Sequence, residues 1–358
     1  MLKKQEGKTM KALQIRDFGT VKNEEMGRLF IMENEAGTKA AVTDFGAALV
    51  NLLVKDKDGI LTDVVLGYDE AADYEAGTQS LGATVGRNAN RIGGAAFEIN
   101  GTRYELDKND NEKNNLHSGM DFYNHRMWEA EEQEDGKITF LLESPDGDQG
   151  YPGNVAVRVT YELTEDNELR ITYDGTPDQD TILNLTNHSY FNLNGHDSGD
   201  VLGHTVVLDA DFYTRADAES IPTGELVDVT GTPMDFRAGK TIGEEIGGDY
   251  EALRLGNGYD HNWVLKNDGK FAKVAQAAGE KSGIVMEVWT DLPGMQMYTA
   301  NFLDKEAGKD GAVYGCRSAV CFETQYFPDA VHHVNFESPI CKADTCYHTV
   351  TSYCFRTA

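Results

Sequence analysis

The sequence feature that most constrains the fold is a recurrence of short apolar runs separated by clusters of glycine, asparagine and aspartate. Helical periodicity is scarce. In the clearest hairpin pattern, Asn100-Gly101 lies between two strand-like runs and suits a type I′ turn. Further strands are predicted at residues 47–54, 63–66, 138–142, 155–163, 169–173, 205–208, 283–289 and 320–326. Many short strands of this kind indicate an all-β sandwich or barrel.

The domain organisation follows from length and from the absence of a linker. A chain of 358 residues can bury a large core, and no low-complexity segment divides it. Residues 129–137 are rich in glutamate and are interpreted as a solvated loop, because strands resume directly after them. We therefore predict one β domain over residues 1–358, with residues 1–10 as a disordered N-terminal extension.

The charge balance limits the possible partners. Asp and Glu number 60 against 32 Lys and Arg, so the formal net charge is -28. This charge disfavours nucleic acid and anionic membrane surfaces, whereas a neutral small molecule is easily admitted. The first residues are basic but no apolar stretch follows, and there is no 18-residue apolar run. We expect no membrane partner and a cytoplasmic location.

All five cysteines lie between residues 316 and 354. An odd number crowded at one end of a long chain does not predict a disulfide framework. The two C-x4-C spacings are wider than those of common zinc knuckles, and Cys321 lies in an apolar run. We therefore expect free thiols packed in the core and no metal site.

Residues 184–193, near the middle of the chain, carry the clearest candidate binding face. In an extended strand, alternate side chains share a face. One face would then be entirely polar or amphipathic, with Asn184, Thr186, His188, Tyr190 and Asn192. Hydroxyl, amide, phenol and imidazole groups in a row can bind a polyol and move a proton. The alternative is that this is simply the solvated face of an antiparallel sheet.

Other polar clusters add candidates, each with a structural alternative. The glycine-flanked segment 86–94 contains two arginines and two asparagines, which form either a donor cluster or a surface turn. Glu323 stands in an apolar strand, so its carboxylate is either paired or has a raised pKa, as a general base would. Three further candidates are His117 in a turn, Asp260 close to an aromatic residue, and Gln296 in a strand after a turn.

Taken together, segments 86–92, 115–117, 184–193, 292–296 and 323–330 resemble the aldose 1-epimerase, or galactose mutarotase, family in order and spacing. The resemblance covers nearly the whole chain. It implies a large antiparallel β-sandwich, the galactose mutarotase-like supersandwich, with a sugar in an open cleft and no cofactor. The implied reaction is interconversion of the α and β anomers of free aldohexoses such as glucose and galactose.

The resemblance also implies roles for individual residues. His188 corresponds to the general acid, Glu323 to the general base, and His117 to a histidine that supports the reacting end of the sugar. The implied substrate contacts are Asn90, Arg91, His117, His188, Tyr190, Asp260 and Gln296. Ser118 and Asn88 depart from the family pattern, where a glycine and an apolar or aromatic residue are usual.

Two other functions are also compatible with the sequence. A glycoside hydrolase would use two carboxylates, and Asp260 with Glu323 would fit those roles. A non-catalytic sugar-binding protein would use the same residues without proton transfer. In each case the expected partner is a small-molecule sugar, bound by a monomer or weak homodimer.

Overall fold

Three antiparallel sheets make up most of the structure, a computed structural model that describes residues 10–358. Residues 1–9, which are all but the last residue of the predicted N-terminal extension, lie outside the described part. The five-stranded sheet contains, in spatial order, Gln14–Thr20, Met26–Glu33, Lys39–Thr43, Ala48–Lys55 and Leu61–Asp63.

The largest sheet has nine strands, and its central strand is the C-terminal one. In spatial order the strands are Glu129–Glu134, Lys137–Ser144, Val155–Leu163, Glu168–Gly175, Tyr347–Thr357, Ile284–Thr290, Ala272–Ala278, Thr205–Leu208 and Lys240–Thr241. Buried and partly exposed residues alternate along Val155–Leu163, as expected of a strand with one face on the core. The loop prediction for residues 129–137 is wrong, because most of that segment is an edge strand. Its exposed glutamates suit an edge, where charge discourages pairing with another chain.

The six-stranded sheet carries four of the predicted site residues, Tyr190, Asp260, Gln296 and Glu323. Its strands, in spatial order, are Tyr190–Phe191, Val320–Gln325, Gly294–Tyr298, Asp260–Val264, Phe212–Ala216 and Pro222–Asp228. Its register sets Gln296 directly between Asn262 and Glu323. Residues from strands far apart in sequence therefore lie side by side.

Short ladders and helices complete the described part of the chain. The hairpin Ala96–Ile99 and Thr102–Glu105 turns at Asn100 (φ 53°) and Gly101 (φ 79°), which confirms the predicted turn. The other two-stranded ladders pair Arg91–Ile92 with Asn115–Leu116, Thr84–Val85 with Thr186–Asn187, Thr181–Ile182 with Ile340–Cys341, and Glu306–Ala307 with Val313–Tyr314.

The helical segments are all short. The α-helices are Ala71–Ala76 and Glu251–Leu255, and the 3-10 turns are Gly93–Ala95, Tyr123–His125, Asp148–Gly150, Ile242–Glu244, Lys309–Gly311 and Ala330–His332. Within residues 10–358, no helix combines the length and the apolar character that a membrane crossing requires.

The main hydrophobic core joins the three large sheets. It includes Phe30 from the five-stranded sheet, Tyr161 from the nine-stranded sheet and Phe322 from the six-stranded sheet, each at most 1% exposed. Sheets that share one core in this way form a sandwich. The predicted all-β antiparallel sandwich is confirmed.

The cysteines follow the prediction in their chemistry but not in their placement. All five are free thiols. Only Cys321 is buried, whereas Cys316 and Cys346 are exposed and Cys341 and Cys354 are partly buried. The expectation of core thiols is therefore wrong for four of them. Cys316 and Cys346 lie outside the strands, and alternation along Tyr347–Thr357 turns Cys354 away from the core that Tyr353 and Phe355 face.

Candidate active site

An open cleft lies over one end of the six-stranded sheet. Clefts lined by converging polar groups are the usual place for small ligands to bind. The structure brings all the predicted site residues together in its lining: Asn90, Arg91, His117, His188, Tyr190, Asp260, Gln296 and Glu323. The wall is completed by Thr78, Gln79, Ser80, Leu116, Tyr298 and Phe302, which were not predicted as site residues.

Three neighbouring strands supply the polar floor of the cleft. The side chain of Gln296 donates to Oδ1 of Asp260 at 2.7 Å, which fixes the orientation of both groups. The other amide atom, Oε1 of Gln296, is buried without a hydrogen-bond partner among the described residues, and so is Oε2 of Glu323. Buried acceptors without partners are costly unless a ligand or water reaches them. The floor therefore offers acceptors to a hydroxyl-bearing ligand.

His188 faces Glu323 across this floor. Its Nε2 lies 3.6 Å from Oε2 of Glu323, and both side chains are buried. The imidazole stacks on the ring of Tyr190, with centroids 4.9 Å apart and planes 18° apart. This packing restricts rotation of the imidazole and keeps Nε2 directed at the carboxylate side of the cleft.

Burial shifts the pKa values of the two facing groups in opposite directions. Desolvation, together with the nearby charge of Asp260, raises the pKa of Glu323 well above its ordinary value, while Arg91 opposes the shift. Desolvation lowers the pKa of His188 to about 4. Both shifts favour a pair with no net charge, which holds a single proton. An acid and a base that share one proton are equipped for proton transfer in either direction.

His117 is held as a neutral donor by the backbone of Asn90. The N–H of Asn90 donates to Nδ1 of His117 at 3.1 Å, and the N–H of His117 donates to the carbonyl of Asn90 at 3.0 Å. Both residues have positive φ angles, 62° and 54°. Because Nδ1 accepts a hydrogen bond, the proton of the neutral ring is on Nε2. Desolvation, with His188 and Arg91 nearby, lowers the pKa of His117 well below its usual value.

The two arginines of segment 86–94 have different environments. Arg91 lines the cleft, and its Nε donates to Asp110 at 2.9 Å. Arg87 is only 1% exposed and donates to Ser144 and to the carbonyl of Pro152. The donor cluster inferred from sequence is therefore divided. One arginine is available to a ligand and the other supports the structure.

The predicted polar face of residues 184–193 is only partly correct. The segment is not one strand, because His188 and Ser189 interrupt Thr186–Asn187 and Tyr190–Phe191. Of the five polar residues assigned to the face, only His188 and Tyr190 line the cleft. The amide of Asn192 bonds the carbonyls of Gly199 and Ser318 at 2.9 Å each, and that of Asn184 accepts from the N–H of Tyr326. These buried amides form hydrogen bonds with backbone groups that lie outside regular strand pairing.

Sequence reasoning missed the aromatic wall of the cleft. Tyr298 meets the ring of His188 edge-on, with centroids 6.3 Å apart. Phe302 stacks on Tyr298 at 6.4 Å and is 61% exposed, so it lies at the mouth of the cleft. The signal for Tyr298 was its spacing of two from Gln296 on one strand. Phe302 follows that strand in a loop, where no periodicity identifies it.

His188, Cys321 and Glu323 also form the one described group whose ligand atoms would suit a metal, all within 4.8 Å of one another. The sulfur faces Nδ1 of His188 at 3.6 Å, whereas the carboxylate faces Nε2 at 3.6 Å. A metal ion binds an imidazole through one nitrogen. The two partners thus approach different nitrogens of the ring, an arrangement in which the imidazole can hold one proton and exchange another.

Comparison with known proteins gives one consistent result. A family model described as aldose 1-epimerase matches residues 28–354. The galactose mutarotase of Sus scrofa is 39% identical over 318 residues, which are 88% of this chain and 91% of that protein. The aldose 1-epimerase of Haemophilus influenzae is 38% identical over 333 residues, 92% of this chain and 96% of that protein. The crystal structure of an aldose epimerase homologue from C. elegans matches with a TM-score of 0.84 and 30% identity, covering 97% of this chain and 100% of that one.

Proposed function

The chain belongs to the aldose 1-epimerase family, and from this premise we propose how its cleft interconverts the α and β anomers of free aldoses. The reaction needs a base for the anomeric hydroxyl and an acid for the ring oxygen. The observation that carries the proposal is the buried pair of Glu323 and His188, facing each other at 3.6 Å in a polar cleft. No other chemical group is required for the proton transfers.

Ring opening moves two protons in opposite directions. Oε2 of Glu323, which has no partner among the described residues, takes the proton of the anomeric hydroxyl. Nε2 of His188 donates a proton to the ring oxygen. The bond between the anomeric carbon and the ring oxygen breaks, its electron pair stays on the oxygen, and the anomeric carbon becomes a free aldehyde. Each positioned acid or base contributes about a hundredfold to ten-thousandfold in rate.

Ring closure uses the same residues with exchanged roles. Rotation about the bond between the first two carbons presents the other face of the aldehyde. Glu323, now protonated, returns a proton to the aldehyde oxygen, and His188 takes the proton of the attacking hydroxyl. The two distributions of the single proton are thus the two ends of the chemical step. The opposite pKa shifts of the pair favour the distribution with the proton on Glu323, from which ring closure starts.

His117 and Arg91 are proposed to stabilise charge that develops at the reacting end of the sugar. The neutral His117 offers an N–H from Nε2, because its Nδ1 already accepts from Asn90. Arg91 is held by Asp110 through Nε, which leaves the rest of the guanidinium for a ligand. Preorganised donors aimed at developing negative charge are among the strongest contributors to catalysis.

The remaining contacts are proposed to hold the sugar hydroxyls. Asp260 and Gln296 form a hydrogen-bonded pair that presents acceptors to neighbouring hydroxyl groups. Asn90 and Tyr190 line the cleft beside them. A site built of buried polar groups discriminates strongly against ligands that lack the matching hydroxyl.

We also propose that residues 1–358 form one domain that acts as a monomer or weak homodimer. Strands from Glu129–Glu134 to Tyr347–Thr357 share one sheet, and one chain supplies every proposed site residue, which supports both points. Light scattering at several concentrations tests the oligomeric state. A cytoplasmic location stays a prediction, supported by five free cysteines and tested by cell fractionation.

Polarimetry on freshly dissolved α-galactose or α-glucose tests the proposed function. The protein should accelerate the change in rotation, and 1-O-methyl glycosides should not be anomerised, because they lack the hydroxyl proton that Glu323 must take. Unchanged rotation with retained sugar binding would identify a non-catalytic binder. Release of phenol from aryl glycosides would identify a hydrolase that uses Asp260 and Glu323.

A further inference from the structure

Cys321 lies beside the proposed general acid. Its Sγ is 3.6 Å from Nδ1 of His188, whereas Oε2 of Glu323 is 3.6 Å from Nε2. Among the described residues, Cys321 is the one whose side chain forms a polar contact with Nδ1. Cys321 is fully buried, and it is the only one of the five cysteines that is buried.

The sheet register fixes this contact. Cys321 lies in the strand Val320–Gln325, opposite Tyr190 of one neighbouring strand and Tyr298 of the other. Residues two apart on a strand share a face, so Cys321 and Glu323 point to the same side of the sheet. One strand therefore supplies a partner for each nitrogen of His188.

The proposed chemistry requires a particular imidazole tautomer. Nε2 must give a proton to the ring oxygen and later take one back, so it must be able to lose its proton. The other nitrogen, Nδ1, must keep its proton through the whole cycle. A neutral histidine keeps the proton on the nitrogen that has a hydrogen-bond acceptor, and thiol sulfur is a weak acceptor.

We propose that Cys321 is a positioning residue of the reaction, whose sulfur accepts the Nδ1–H of His188 and so leaves Nε2 as the nitrogen that exchanges protons with the sugar. This inference rests on the proposed role of His188. Cys321 itself touches neither of the reacting atoms. Partners of this kind orient a functional histidine and fix its tautomer.

A thiol has a specific advantage over a carboxylate at this position. A carboxylate behind Nδ1 would stabilise the imidazolium and make His188 a weaker acid. Burial, with the charges of Glu323 and Asp260 nearby, raises the pKa of the Cys321 thiol well above its usual value, so the sulfur stays neutral. A neutral, weak acceptor orients His188 without reducing its ability to protonate a weakly basic ring oxygen.

The test compares Cys321→Ala with a matched thiol removal, Cys354→Ala, in the strand Tyr347–Thr357 of the nine-stranded sheet. In polarimetry, Cys321→Ala should lower kcat by about tenfold to a hundredfold with KM unchanged, because only the proton transfer is affected. Cys354→Ala should retain the wild-type kcat. Cys321→Ser, which restores an acceptor with little change in volume, should give a kcat between those of the wild type and the alanine variant.

Nitrogen NMR of histidine-labelled protein provides the readout that a packing role would not move. His188, assigned through His188→Asn, should be the Nδ1–H tautomer in the wild type and a mixture in Cys321→Ala. The inference is overturned if Cys321→Ala keeps both the wild-type kcat and the Nδ1–H tautomer. It is equally overturned if Cys321→Ser and Cys354→Ala lose as much activity as Cys321→Ala. An active His188→Asn would instead contradict the proposed role of His188 itself.

Discussion

At the scale of single residues, the chemistry depends on where one proton resides between Glu323 and His188. Below a pH of about 4, His188 becomes protonated while Glu323 is still protonated, so the pair holds two protons and contains no base. Above the raised pKa of Glu323, the pair loses its only proton, and no acid is left. The active form is the one-proton state between these limits.

We therefore predict a bell-shaped pH profile of kcat/KM with an unusual assignment of its two limbs. The acid limb should report protonation of His188 and the alkaline limb deprotonation of Glu323, which is the reverse of the order in free amino acids. Polarimetric rates across the pH range check the profile. A profile whose alkaline limb lies at the ordinary pKa of a glutamate would contradict it.

Asp260→Asn provides a test of which group causes the alkaline limb. The charge of Asp260 raises the pKa of Glu323, so its removal should move the alkaline limb to lower pH. The value of kcat/KM should also fall at every pH, because a proposed sugar contact is altered. An alkaline limb that stays in place, or moves to higher pH, would show that Glu323 does not control it.

The sequence identified most of the residues that line the cleft, because polar side chains in apolar strands are conspicuous. Glu323 and Gln296 stood out in this way, and the structure places both on the floor of the cleft. Phe302 and the contact of Cys321 with His188 were not predictable. Phe302 lies in a loop without periodicity. The contact of Cys321 with His188 depends on how strands distant in sequence pair, and that register is set by tertiary packing rather than by local pattern.

At the scale of elements, segment 86–94 combines a structural arginine with a ligand-facing one. We predict that Arg87→Lys lowers the free energy of unfolding by about 2 kcal/mol, because an ammonium cannot replace the guanidinium bonds to Ser144, Pro145 and Pro152. Arg91→Lys should instead lower kcat, because Arg91 is proposed to stabilise charge that develops during the reaction. Urea unfolding and polarimetry measure the two effects. Equal losses of stability in both variants would contradict the division of roles.

In two segments, the local sequence pattern does not predict the secondary structure. Residues 129–137 contain a strand although their composition is that of a loop, because an edge strand tolerates charge on its exposed side. Segment 184–193 alternates like a strand but is interrupted at His188. The interruption sets the imidazole between two sheet strands, and alternation in sequence cannot reveal it.

At the scale of the whole molecule, the three tryptophans probe different parts of the sandwich. Trp128 donates its backbone N–H to the carbonyl of Asp44, beside the five-stranded sheet, whereas Trp263 and Trp289 lie in strands of the six- and nine-stranded sheets. We predict that three variants with one tryptophan each, the others changed to Phe, unfold as one unit. In each variant, the urea midpoint by fluorescence should equal the midpoint by far-UV circular dichroism. Separate midpoints would indicate more than one domain.

The overall fold was the most predictable level, since recurrent short strands leave few alternatives to a sandwich or barrel. The order of strands in the sheets was not predictable from periodicity. Tyr347–Thr357 pairs with Glu168–Gly175 on one side and with Ile284–Thr290 on the other, and these three strands are far apart in sequence. Such non-local pairing is fixed by the shared core.

The most direct test of the account is the rate of α-galactose mutarotation in Glu323→Gln, measured by polarimetry beside calorimetric sugar binding. The change keeps the shape of the side chain but removes the base, so binding should survive while the rate falls at least about a hundredfold. His188→Asn should behave likewise, and the double variant should be little worse than the weaker single one, because the two protons move together. Glu287→Gln, in a strand of the nine-stranded sheet, is the matched control and should keep the wild-type rate. A correctly folded Glu323→Gln with a near wild-type rate would show that Glu323 is not the base.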